Sequence, residues 1–150
     1  MRDDEFLKQR LEAMWEFLFP DVKRANTVVI RFKGKWRNKF GHIKRLTNGD
    51  SEIIINSHFK NEKVPEYIID TTIAHELVHY MHGFSSPLPR IHKHPHKGGI
   101  VNKELRKRGF SHLIRLEKEF IRTSWPGLYA GLANKRKSAS MLDKIFSMRL

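Results

Sequence analysis

His75-Glu76-Leu77-Val78-His79 is the stretch on which the reading of this 150-residue chain turns. Residues four apart on a helix lie on one face, one turn above the other. Two imidazoles so placed can reach a single tetrahedral zinc ion at about 2.0–2.1 Å each. The carboxylate beside the first His stays outside the coordination sphere, free to take a proton from a zinc-bound water. The spacing therefore predicts His75 and His79 as metal ligands and Glu76 as a general base. The surroundings agree. Val64-Pro65-Glu66 reads as a helix start, with Pro in the first turn and an acid behind it. Tyr67, Ile68, Ile69, Ile73, Ala74, Leu77, Val78 and Met81 follow at helical spacing, and Gly83, Pro87 and Pro89 end the run. Placing three polar side chains in so apolar a helix is costly unless each has a partner.

A catalytic zinc usually keeps three protein ligands and one water. The chain has no Cys, so a third ligand must be His, Asp or Glu. The segment from Ile91 to Ile100 holds His92, His94 and His96 at alternate positions. His96 ranks first, because it opens the next helix and can be held rigidly there. His94 precedes Pro95, is biased to an extended backbone, and ranks second. His92 is third, and Glu104 offers a helical carboxylate instead. His82 lies about 10 Å beyond His75 along the axis and reads as a surface or supporting residue. His42, His58 and His112 have no partner that spacing identifies.

The formal net charge of +13 is unevenly spread: residues 1–74 carry 14 Lys/Arg against 11 Asp/Glu, and residues 75–150 carry 15 against 5. Such an imbalance is an electrostatic footprint for a polyanion, DNA or RNA above all. Residues 27–40 read as a strand. Val28, Ile30, Phe32, Trp36 and Phe40 alternate there with Arg31, Lys33, Lys35, Arg37 and Lys39. Period two would put those five cations on one face over about 26 Å, a track for phosphates. No run of 18 apolar residues exists, which excludes a membrane-spanning helix. The charged start Met1-Arg2-Asp3-Asp4-Glu5 is unlike a signal peptide, and the absence of Cys fits a cytoplasmic or nucleoid- or nuclear-associated protein. The length suits one domain, read as a monomer.

Residues 4–19 form an amphipathic helix with Phe6, Leu7, Leu11, Met14, Trp15 and Leu18 inward, closed by Pro20. His42–Leu46 and Glu52–Asn56 form a hairpin around Asn48-Gly49. The second of these strands is the one expected to pair with an extended substrate beside the active-site helix. Further helices run over about 99–108 and 111–123, the latter with Leu113, Leu116, Phe120 and Ile121 inward. Trp125-Pro126-Gly127 then breaks the chain, and a basic run Asn134-Lys135-Arg136-Lys137 leads to a short helix from about Ser140.

Over residues 28–110 the chain resembles the SprT-like metallopeptidases, which are minimal zincins. The resemblance is carried by Trp36, Phe40-Gly41-His42-Ile43, Ile53-Ile54-Ile55-Asn56, Pro65-Glu66-Tyr67-Ile68-Ile69-Asp70 and the His75–His79 motif. It implies a hairpin ending in Asn before the zinc helix, and a third-ligand His four residues before an apolar or aromatic one, as His96 stands to Ile100. The family often has Gly directly after that His, where this chain has Lys97. Eukaryotic members cleave proteins crosslinked to DNA. No Cys-rich zinc ribbon follows. A second resemblance, through Ala74-His75-Glu76-Leu77, is to regulatory peptidases of the ImmA/IrrE kind, which would take a downstream carboxylate such as Glu104 as third ligand.

The combined expectation is an α+β zincin-like domain over 1–124, with a short antiparallel sheet packed on the motif helix, and a basic segment over 125–150. It is expected to be a Zn2+-dependent peptidase of protein or peptide substrates at or near nucleic acid. Tyr80 or the 83–95 loop would donate to the oxyanion. The rival from another class is a non-catalytic nucleic-acid-binding protein with a closed structural zinc on His75, His79, His94 and His96.

Overall fold

The computed structural model describes residues 1–148; for 136–138 and 148 only the backbone is described. The first helix, α1 (Asp4–Leu18), is capped by Asp3, whose carboxylate accepts from Phe6 N–H at 2.9 Å. Leu7, Leu11, Met14 and Trp15 recur at helical spacing and are buried, while Leu18 at the end of the stripe is 40% exposed. Three strands follow, β1 (Val28–Phe32), β2 (Gly41–Arg45) and β3 (Ser51–Ile55). Then come α2 (Glu66–Met81), α3 (Ile100–Lys107), α4 (Ser111–Thr123) and α5 (Trp125–Met148). The architecture is α+β, and among the described residues no helix is long and apolar enough to cross a membrane. Contacts group the chain into residues 1–117 and 118–150, a division that falls inside α4.

The sheet is mixed rather than antiparallel. Its order is β1-β3-β2, with β1 parallel and β2 antiparallel to β3. The hairpin around Asn48-Gly49 forms as expected, and Ser51–Ile55 is buried throughout because it is the central strand. That corrects the expected substrate strand: β3 spends its backbone groups on two neighbours and has no edge to offer. Register places Ile30, Ile53 and Ile43 on one face. That face turns toward α2, since a Cβ on Gly41 would stand 2.8 Å from Thr72 Cγ2. The opposite face carries Arg31, Glu52 and Lys44. Its carboxylate is clamped by Arg31 Nε at 3.0 Å and Lys44 Nζ at 3.5 Å.

The long strand over 27–40 is also corrected: it ends at Phe32. Gly34 adopts φ +76°, and a Cβ there would sit 2.3 Å from the Trp36 ring, so the chain turns at a position only glycine tolerates. Beyond it the backbone is satisfied not by a strand partner but by one side chain. Buried Asn56 donates through Nδ2 to the carbonyls of Trp36 (2.7 Å) and Lys39 (2.9 Å) and accepts from His58 N–H (3.0 Å). The five cations are exposed, but only Arg31 lies in the strand, where it is taken up by Glu52. Replacing Asn56 with Ala leaves two carbonyls and one N–H without partners. It is expected to cost about 2–4 kcal/mol in urea unfolding and to release amide-exchange protection across 34–40.

Residues 118–150 contain the other revised segment. α5 starts at Trp125 and runs without the expected break to Met148. Pro126 sits in the first turn, where its missing N–H would have no partner anyway, and Gly127 and Gly131 lower helix propensity without stopping the helix. Trp125 packs against Phe120 and Tyr129, with ring centres at 6.2 and 5.6 Å. Ile121, expected inward, is 41% exposed.

Candidate metal centre

α2 begins at Pro65-Glu66, as its sequence predicts, and carries His75, Glu76 and His79 in its last turns. The helix is held from outside its own turns. Arg10 of α1 grips Asp70 through two bonds of 2.9 and 2.6 Å. The two motif histidines converge: His75 Nε2 and His79 Nε2 are 3.1 Å apart, with ring centres at 4.8 Å and planes at 74°. Two nitrogens on one tetrahedral zinc ion would lie about 3.3–3.4 Å apart, given bonds of about 2.0–2.1 Å. The pair is therefore spaced as ligands are, and His79 Nδ1 is buried without a hydrogen-bond partner. Burial, with a smaller contribution from His96, pushes His75 down to about 4. Burial, then His75, His96 and His82, pushes His79 down to about 3. Both imidazoles are thus neutral at physiological pH, the state that binds metal.

Glu76 is 4% exposed, and burial pushes its carboxyl up to about 8, against a lowering influence of Lys39. Lys39 reaches this neighbourhood on the loop that Asn56 ties down, and acts on His42 as well. Neither residue was identified from the sequence as part of the site. The backbone satisfaction that makes Asn56 matter is set by groups 17 and 20 residues away and leaves no period or motif to read.

The His-rich loop divides its histidines. His96 is exposed and brings its ring centre to 4.5 Å from that of His79 and 5.5 Å from Phe84. His92 faces His82 instead, at 4.6 Å between ring centres. His94 is exposed, and the buried residue between it and His96 is Pro95. Glu104 is paired with Arg108 at 3.2 Å, and its charge acts on His82. Among the described residues no group of three His, Asp or Glu side chains is arranged to hold a metal ion. The donor set fits one in its chemistry: two converged neutral imidazoles, a third against His79, and a buried carboxyl on the residue next to His75.

Tyr80 is not an oxyanion donor. It lies a further 100° around the helix and is fully buried, its hydroxyl donating to Asn26 Oδ1 at 2.6 Å and accepting from Ala25 N–H at 3.0 Å. The loop that follows α2 leans on the sheet edge: Ser85, at φ 56°, donates from Oγ to Ile43 O at 3.3 Å and accepts from Ser51 Oγ at 2.6 Å. Leu46 N–H bonds to Asp50 O and Asn56 N–H to Phe40 O, so the alternation of an antiparallel ladder turns Gly41, Ile43 and Arg45 outward. β2 is thus the edge nearest α2.

Comparison of the chain with protein-family models, with curated proteins and with solved structures finds no match to any of them.

Proposed function

We propose that this chain is a zinc-dependent metalloendopeptidase of the SprT-like, zincin kind. One observation carries the reading: on a buried helix, His75 and His79 bring their Nε2 atoms to 3.1 Å, and the residue after His75 is a buried carboxyl, Glu76. His75, His79 and His96 would hold a Zn2+ ion. Bound there, the ion supplies an acidic water and a Lewis acid for the scissile carbonyl. The chain's own residues do the rest. Glu76 accepts the proton of the attacking water and returns it to the leaving amine. Its buried setting raises its proton affinity against the lowering influence of Lys39, and a dication bound at the centre would favour the carboxylate form. β2 offers the outward backbone groups of Gly41 and Arg45 to an extended protein or peptide substrate, Ile43 O being already bonded by Ser85, by the same strand addition first sought on β3.

Lys33, Lys35, Arg37 and Lys39 lie on the loop that leads into β2. With the net charge of +13 they support a substrate held at or near DNA or RNA. The protein would act as a monomer in the cytoplasm or beside the nucleic acid. The regulatory-peptidase alternative needs Glu104 as a ligand. The pairing of Glu104 with Arg108 and its position toward His82 favour His96 instead. The closed structural site also needs His94, and among the described residues it is the ring of His96 that meets His79.

Zinc content of purified variants tests the ligand set. About one zinc per chain is expected at this centre, lost in His75→Ala and in His79→Ala. It should be weakened on the order of 10–100-fold in His96→Ala and unaffected in Glu104→Ala or His94→Ala. Full zinc retention in His75→Ala would remove the basis of the proposal.

A further inference from the structure

We propose that His82 and His92 form a second transition-metal site, separate from the His75–His79 centre and filled by a Zn2+-like divalent ion. The two rings stand 4.6 Å apart between centres with planes at 70°, nearly the geometry of His75 and His79 at 4.8 Å and 74°. Two imidazoles on one tetrahedral ion place their ring centres about 5 Å apart. The arrangement is not that of a hydrogen-bonded pair satisfying a buried group: His82 is 4% exposed, yet its Nδ1 has no partner. A buried ring nitrogen left unmatched is costly, and a ligand removes that cost.

His92 is already held in place. Ile91 N–H donates to His82 O at 3.1 Å, and Arg90 donates from Nε to His92 O and from Nη2 to Lys93 O, both at 3.1 Å. The loop is thus shaped before any ion arrives. His92 is itself reached from solvent, since with Arg90, Ile91 and Lys93 it lines an open cleft of about 420 Å³. Glu104, although paired with Arg108, is close enough to act electrostatically on His82. Imidazole donors suit Zn2+, Cu2+ and Ni2+ over Ca2+ or Mg2+. With two protein donors, water completes the coordination, so the site is weaker and more exchangeable than a three-ligand centre.

An ion at this site fastens the 90–97 loop to the end of α2, four residues before His96. Occupancy would then hold His96 beside His79 and strengthen the first centre. That consequence rests on the function proposed above; the second site itself does not.

The test is calorimetric titration of the metal-free full chain with ZnCl2, with histidine imidazole resonances followed by NMR. The parent chain is expected to bind about two ions, with the weaker one perturbing His82 and His92. In His92→Ala the weaker ion should lose at least tenfold in affinity while the tighter one remains. In His75→Ala the weaker ion should persist. His82→Gln probes the buried partner, but the loop variant decides should that one fail to fold. Persistence of two ions in His92→Ala overturns the site, and so does equal loss in His94→Ala. A single ion, lost in His75→Ala and kept in His92→Ala, overturns the second site and leaves the first. A single ion with the opposite dependence leaves the second site and removes the first.

Discussion

Glu76→Gln is expected to lower peptide hydrolysis by about 10²–10⁴-fold, the range for removing a positioned general base, while zinc content stays at the parent level. The substitution nearly preserves volume, so the packing of this buried side chain is retained. It replaces an acceptor whose affinity for a proton is raised by burial with an amide that cannot accept one at all. The histidines that would hold the ion are not touched, and their neutrality owes most to their own burial. The measurement is hydrolysis of an unstructured protein such as casein, beside metal analysis of the same samples. Parent-level cleavage in the variant would exclude Glu76 as the base. Zinc lost together with activity would place the carboxyl among the ligands.

The second large effect is on stability. Gly83 follows α2 with φ +78°, and a Cβ there would lie 2.3 Å from Pro89 O and 2.6 Å from Arg90 N. A left-handed backbone costs an L-residue roughly 1–2 kcal/mol. The collision is with backbone, which cannot rotate away as a side chain does, and overpacking of this kind adds about 1–3 kcal/mol. Gly83→Ala is therefore expected to destabilise the chain by about 3 kcal/mol in urea unfolding, and Gly83→Val by more. A loss under about 1 kcal/mol would mean that the 83–90 loop does not close on itself as described. Because that loop leads directly into the segment carrying His92 and His96, the same variants should weaken zinc binding even where they remain folded.

The contrast between legible and illegible features follows from range. Asp3 caps α1 and Pro65 opens α2 because these depend on neighbours within one turn, and the same spacing aligned His75, Glu76 and His79. Asn48-Gly49 set the hairpin for the same reason. Pro126 misled, since its meaning depends on whether a helix starts there or passes through, and residues 125–127 alone cannot distinguish the two. The alternation of 27–40 misled further: its period is that of a strand, but Gly34 and the buried amide of Asn56 draw the chain into a loop.

What the sequence determined unaided was the chemistry available: which helix carries the imidazoles, which carboxyl stands beside them, and that no thiolate can take part. Tertiary structure decided the assignments. It put β3 in the middle of the sheet and β2 at its edge, sent His96 to His79 and His92 to His82, and turned Tyr80 toward Asn26. Helical spacing is a property of the local backbone and is written into consecutive residues. Which strand is the edge, and which of three alternate histidines meets the motif, depends on segments tens of residues apart being packed together.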